Sequence, residues 1–590
     1  MKYQLVAPVN PRYSAIEQVL TNRGIPHDKI YDYLNTTDEI ISSPLLLGED
    51  KLKKAAGTLL RVIEAGYKIL VIVDSDCDGF TSSATLINYL YDLFPYLITN
   101  QRIEWYIHSG KQHGLSDCVD MIAQGDYGLI ICPDASSNDY EEHARLNALN
   151  IPIIVLDHHE AEKVSENAII INNQLSDYPN KELSGVGVTW QFCRYIDSLL
   201  GENKADKYID LVSLGNMADM MSLTSLETKH LILKGLNYVT NPFFKGMVEK
   251  NAFSIKGELT PMKVAFYVAP FVNAIVRSGT QDEKELIFRS MLTFEAFKEV
   301  PSTKRGHKLG EMEQVVTQAL RVATNVKARQ TKAQDKGLEF LENMIEEQNL
   351  LDNKVLLFLL KPGEVDRNIA GLIANKFMSK YQRPCCILTE VKENDGLEIH
   401  TSYQGSARGC DKTGVTNFKD ICDATGVTMY GEGHQGAFGL GIEEDCVADF
   451  IQKTNEILKD TSDEPVYFVD YIYNGENVEP QNILDIANMG QFWGKDMDES
   501  LIAIERLKVT ANMVTLMSPD KSPTLKITLP NRTSIIKFGS SQEEYEKFIS
   551  DGFVEVNIIG KCNKNEWMGN VTPQIFMEDY EIVNTCAWAF

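Results

Sequence analysis

Val71–Gly79 reads VIVDSDCDG, and further along Ile153–Glu160 reads IIVLDHHE. Each is an apolar, β-branched run that stops abruptly in aspartate or histidine. From Lys68 to about Gly215 such runs (KILVIVD, IEWYIHS, YGLIICPD, PIIVLD, NAIIIN) alternate with helical stretches. Short Ile/Val-rich strands alternating with helices predict a parallel, doubly wound sheet buried on both faces. Sheets of that kind bind ligands beyond the carboxyl ends of their strands. Asp74, Asp134 and Asp157 each fall at such an end.

Composition bounds the rest. A chain of 590 residues is too long for one core, and roughly three or four domains are expected. Its 44% hydrophobic and 24% charged residues are ordinary for a soluble globular protein. The start, MKYQLVAPVNPRYS, carries no apolar core of a secretory signal, and no apolar run is long enough to span a bilayer. The 11 cysteines lack CxxC spacing, which fits a reduced, intracellular protein. Lys and Arg number 57 against 83 Asp and Glu, a formal charge of −26. That balance argues against coating nucleic acid by bulk attraction. It leaves room for a polyanion drawn into a local basic channel, with metal ions supplying charge.

The pattern along the chain predicts four parts. Residues 1–224 form the doubly wound domain with an N-terminal helical segment, and 225–348 a long helical connector. Residues 349–460 form a second α/β domain, and 461–590 a linker and a small, OB-like β-barrel of short strands. Within the connector, Lys304–Lys336 holds eight Lys or Arg against three acids. A solvated helix face and a polyanion-contacting one both fit that excess. The terminal CAWAF is a candidate docking tail or the apolar edge of a domain.

Asp74, Asp76 and Asp78 with Gly79 resemble a calcium loop, but the twelfth position of an EF-hand would be Thr85 rather than Glu. Oxygen ligands combined with an imidazole suit Mn²⁺ or Mg²⁺ better than structural zinc, which prefers cysteine. A cluster of aspartates plus one histidine, holding two divalent ions about 4 Å apart, is an arrangement for in-line attack on phosphorus.

DSDCDG before a helix, DHH after a later strand, and DLVSLGNMADMMSL (210–223) resemble the DHH phosphoesterase superfamily, and within it the RecJ-type single-stranded-DNA exonucleases. LSGVGVTWQF and APFVNAIVRSG resemble two further family segments, although Val276 stands where the family usually has Gly. YQRPCCIL, GSARG and GEGHQGAFGLGIE follow in the order of the DHH-associated domain, and the C-terminal strands resemble the family's OB-fold. The resemblance implies that Asp74, Asp76, Asp78, Asp134, His158 and Asp219 form a two-metal site, with Mn²⁺ favoured and Mg²⁺ also suited. It implies that Asp157 orients its neighbours and that His159 contacts the scissile phosphate. Ser406 and Arg408 would grip a terminal 5′-phosphate, with His434 and Arg277 as further backbone contacts. Trp567 and Phe576 are candidates for base stacking or for core packing.

The expectation is therefore a monomeric, cytoplasmic enzyme, or one of the host cytoplasm if viral. It would degrade single-stranded DNA 5′ to 3′ to mononucleotides, with a single-strand-binding protein or a helicase as partner and no membrane. Two rivals are a phosphodiesterase for short oligonucleotides or cyclic dinucleotides, and a catalytically inactive DNA-binding scaffold.

Overall fold

The computed structural model describes residues 1–590 except 111, 162, 395–398, 463, 550–551 and 587–590, so most of the CAWAF tail lies outside it. The chain forms two compact units. One comprises Arg23–Ala328 with Met489–Glu499; the other comprises Met1–Asn22, Arg329–Asn488 and Ser500–Phe590.

The first unit is built on a wholly parallel sheet of β1 (Lys68–Val73), β2 (Ile103–Ile107), β3 (Tyr127–Pro133), β4 (Ile153–Asp157) and β5 (Ile169–Asn172). Their order is β2-β1-β3-β4-β5. The apolar runs become strands because helices cover both faces, so Ile69–Val73 and all of β4 and β5 are buried. Leu70, Ile72, Ile130, Val155 and Ile170 pack against Leu115, Ile122 and Leu146 in one continuous core. On leaving β1 the chain turns into α1 (Cys77–Leu93), capped by Asp76, whose side chain accepts from Gly79 N. Helix α1 is buried from Cys77 to Tyr91, and α2 (Gly185–Leu200) and α3 (Ile209–Ala218) pack against it. The strand order changes direction between β1 and β3, and their carboxyl ends carry Asp74 and Asp134. This is the switch point at which open α/β sheets bind ligands.

In the second unit, β6 (Leu356–Leu360), β7 (Cys385–Asn394), β8 (Ile399–Arg408), β9 (Thr428–His434) and β10 (Ala437–Glu443) form a mixed sheet, with α4 (Arg367–Tyr381) between the parallel β6 and β7. The C-terminal strands form a seven-stranded, mainly antiparallel sheet from Tyr471–Asn474 at one edge to Val514–Met517 at the other. The small barrel expected there has its strands but not its closure. No pairing joins the two edges among the described residues. Bulges at Ile504/Leu507, Glu555/Val556 and Ile559/Gly560 bend the long central strands without bringing the edges together. The basic stretch is also divided: Val315–Glu347 is one helix, and its Arg321 pairs with Glu313 of the segment before it. Among the described residues no helix is long and apolar enough to cross a membrane.

Lys229 is 1% exposed, and its ammonium donates to the Tyr33 carbonyl and lies 3.9 Å from the Tyr33 ring centre and 5.1 Å from that of Phe492. Burial lowers its pKa from 10.5 to about 8. A lysine depressed in the folded state binds fewer protons folded than unfolded, so stability rises with pH between those values. Denaturant unfolding should show the wild type gaining up to about 3 kcal/mol between pH 8 and 10.5 relative to Lys229→Met. Parallel pH curves for the two proteins would refute the depressed pKa.

Candidate metal centre

Three groups of ligand atoms lie within 4.8 Å of one another: Asp74, Asp76 and Asp134; Asp78, His158 and Asp219; and Asp134, His158 and His159. The six residues marked by the sequence for a metal site are therefore gathered at one place. His158 Nε2 is central, 3.3 Å from Asp134 Oδ1, 3.4 Å from Asp219 Oδ2 and 4.0 Å from Asp78 Oδ2.

Local structure explains how acidic groups come so close. Asp134 leaves β3 in the left-handed region at φ 67°, a conformation uncommon outside glycine. A Cβ on Gly185, the first residue of α2, would lie 2.2 Å from Asp134 Oδ1, so only glycine lets that helix start here. The same helix start satisfies Asp78, whose carboxylate accepts from Ser184 Oγ at 3.1 Å, Gly185 N at 2.7 Å and Val186 N at 3.2 Å. Asp219 closes the group from the C-terminal end of α3. Asp74 pairs instead with His113, at 2.6 Å between Oδ2 and Nδ1. His113 carries no strand-end signal in the sequence, although its loop follows β2 at the same end of the sheet.

The electrostatics follow from burial. Desolvation and neighbouring aspartates push the Asp78 carboxyl to about 6 and Asp219 to about 8, and hold Asp134 well above the usual carboxylate range. Left to themselves these groups resist ionising together. Both carboxylate oxygens of Asp134 and Nε2 of His158 are buried without a hydrogen-bond partner among the described residues. Buried polar atoms are seldom left so. Oxygen donors with one imidazole, short of partners and crowded with potential negative charge, fit hard divalent cations.

Asp157 behaves differently. Burial would raise its carboxyl, but bonds from His159, Ser137 N at 3.0 Å and His158 N at 2.7 Å hold it well below the usual range. Its Oδ1 also lies 2.8 Å from His159 Nδ1. Burial works against a charge on His159, yet Asp157 raises its pKa to about 9; burial lowers His158 to about 4. Adjacent histidines thus take opposite states at neutral pH, cationic and neutral.

Arg277 borders the cluster in a cavity shared with Ser75, Asp76 and His113. The remaining marked residues belong to the other unit. Ser406 and Arg408 lie on β8 against α4, where a Cβ on Gly371 would come within 2.4 Å of Arg408 Nη2 and 3.3 Å of Ser406 Oγ. His434 ends β9 and is exposed. Trp567 is 69% exposed, whereas the Phe576 ring meets Phe538 edge-on at 5.3 Å, which favours packing over stacking on a base.

In the metal-free protein, Asp157→Asn should return the His159 pKa from about 9 toward the ordinary 6.5, as read by NMR titration of the imidazole. An unchanged value would show that Asp157 does not hold the proton on His159.

Residues 68–216 match the DHH family, N-terminal domain. The chain is 34% identical over 588 residues to YorK of Bacillus subtilis (strain 168), provisionally named an SPbeta prophage-derived single-strand DNA-specific exonuclease, covering 99% of each chain. It is 25% identical over 565 residues to the single-stranded-DNA-specific exonuclease RecJ of the same strain, covering 93% of this chain and 65% of that one. The crystal structure of RecJ in complex with Mn²⁺ from Thermus thermophilus shares the fold with a TM-score of 0.69 at 17% identity, over 100% of this chain and 80% of that one.

Proposed function

Because the chain belongs to the DHH family and, within it, to the RecJ-type proteins, we propose that it is a metal-dependent exonuclease that degrades single-stranded DNA 5′ to 3′ to mononucleotides. The observation that carries this reading is the buried, partner-poor donor set of Asp134 and His158 among raised carboxyls. Asp74, Asp76, Asp78, Asp134, His158 and Asp219 would hold two divalent cations, of which Mn²⁺ and Mg²⁺ both suit the donors. When bound, these would lower the pKa of the attacking water and offset charge on the phosphoryl oxygens.

The chain's own residues divide the remaining work. His159, cationic at neutral pH and held at Nδ1 by Asp157, has Nε2–H available for the scissile phosphate or for the leaving oxygen. Arg277 neutralises backbone charge beside it. Attack on phosphorus breaks its bond to the 3′-oxygen of the terminal nucleotide. One mononucleotide leaves, and a strand with a new 5′-phosphate remains. That product is again a substrate for a 5′-phosphate seat at Ser406 and Arg408. Gly371 supports such a seat, because its missing side chain leaves the space beside α4 that both side chains occupy.

The test uses a forty-nucleotide strand, internally labelled, as single strand and as blunt duplex, with 5′-phosphate or 5′-hydroxyl ends and Mn²⁺ present. Mononucleotides should appear from the single strand alone, faster with 5′-phosphate. Asp134→Asn should cut at least about 10²–10³-fold more slowly, with weaker Mn²⁺ binding by calorimetry. Cleavage of dinucleotides but not of the long strand would favour a small-substrate phosphodiesterase. Binding without cleavage would favour a scaffold.

A further inference from the structure

Residues Met489–Glu499 belong to the first unit, although the chain on both sides of them, helix Pro480–Ala487 and strand Leu501–Thr510, belongs to the second. This strap is inserted into the first unit rather than laid on it: Phe492, Trp493 and Met497 are all buried. Gly494 and Met497 exchange backbone bonds at 3.0 and 3.1 Å, which closes a short loop with Lys495 and Asp496 at its tip. The Phe492 ring lies 5.8 Å from that of Tyr33, centre to centre, and Arg23 Nε donates to the Asp498 carbonyl at 3.0 Å. Burial of three large side chains ties the strap firmly in place, and what it grips is the turn after Asp219.

That turn contains a strained residue. Helix α3 ends at Ala218, Asp219 follows, and Met220 stands in the left-handed region at φ 57°. Met221 N closes the helix end on the Asn216 carbonyl at 3.0 Å. Helices often end on a left-handed residue, but it is usually glycine; a long side chain persists there only where its surroundings impose it. They do so at Ser222 and Leu223. Ser222 N donates to Glu182 Oε2 at 3.1 Å, two residues before the Ser184–Gly185 start that cradles Asp78. Leu223 is gripped at three points. Its N donates to the Lys495 carbonyl at 3.0 Å, and its carbonyl accepts from the Tyr33 hydroxyl at 3.0 Å. Its side chain packs on Gly494, where a Cβ would come within 2.6 Å of Leu223 Cδ1. Tyr33 is itself fixed by Lys229, whose ammonium donates to its carbonyl.

We propose that Phe492 and Gly494 are positioning residues for Asp219: through Leu223, the strap fixes the turn that presents this carboxylate to one of two divalent cations. The proposal rests on the metal-dependent reading. Asp219 shares its group of ligand atoms with Asp78 and His158, whereas Asp74, Asp76 and Asp134 form another group without it. Loss of the strap should therefore weaken one cation and spare the other. Residues that orient a ligand without touching the metal commonly change its affinity about 10–100-fold.

The test is Mn²⁺ titration by calorimetry of the full-length wild type, Phe492→Ala, Gly494→Val and Phe492→Leu, with Asp219→Asn marking the binding event that involves this carboxylate. Phe492→Ala and Gly494→Val should weaken that event about 10–100-fold and leave the other unchanged. Phe492→Leu, which still fills the space against Tyr33, should recover most of the loss. Equal weakening of both events, or wild-type affinity for both in Phe492→Ala and Gly494→Val, would overturn the proposal, since a general loss of stability does not single out one cation. A second measurement needs no metal. In the cation-free protein, amide hydrogen exchange at Ser222 and Leu223 should quicken at least about tenfold in Phe492→Ala, with exchange in α1 unchanged. Wild-type exchange at both amides would overturn the proposal by itself. If the wild type binds no Mn²⁺ at all, the metal-dependent reading fails, while exchange still decides whether the strap holds the turn.

Discussion

Carboxylates buried side by side repel one another most strongly where water cannot screen them, and the fold of the first unit is arranged around that repulsion. Asp74, Asp78 and Asp134 are each 1% exposed, and Asp219 joins them from the end of a helix. A compact protein would ordinarily disperse such groups, because ionising one in a low-dielectric site costs several kcal/mol. Here parallel strands deliver two of them to the switch point, α2 begins against Asp134 at a glycine, and the start of α2 supplies three donors to Asp78. The left-handed backbone at Asp134 adds strain of order 1–3 kcal/mol. These costs become intelligible if cations complete the site, since a divalent charge converts the repulsion into binding free energy.

Much of this was legible in the order of residues alone. Strand identity followed from Ile/Val runs, and position followed from the rule that parallel sheets present their carboxyl ends to ligands, so Asp74, Asp134 and Asp157 stood out together. The separate character of Asp157 was legible only through the family resemblance. Its bonds to Ser137 N, His158 N and His159 are set by loop geometry that no periodicity encodes. His113 escaped for a similar reason: it sits in a loop without strand or helix patterning, placed by Lys284 and Gln281 from far along the chain. In the C-terminal region alternation marked the strands, but closure of a sheet depends on bulge positions and register, which composition does not carry.

The acidic total of the chain and a polyanionic substrate are compatible because charge acts locally. The cluster favours cations, and the cavity beside it collects donors around Arg277 with Asp76 at their common border. A strand running past both would meet attraction at its phosphates where the donors lie and, with cations bound, at the scissile phosphate as well. Elsewhere the net charge of −26 repels it, which limits unproductive adsorption.

The tripeptide Asp157-His158-His159 shows how neighbouring residues of similar chemistry acquire different work. Both imidazoles lie by the same carboxylate cluster, their ring centres 4.4 Å apart. His158 turns Nε2 toward Asp134 and Asp219 and is buried, so desolvation keeps it neutral and its lone pair available to a metal. His159 turns Nδ1 back to Asp157, whose own charge is stabilised by backbone donors, and it stays protonated. Cationic His159 in turn depresses His158 further. Environments that push two like groups apart in pKa separate ligand from acid within one turn of chain. Exchange of Asp157 for an uncharged residue would narrow that separation from the His159 side, while burial still holds His158 low.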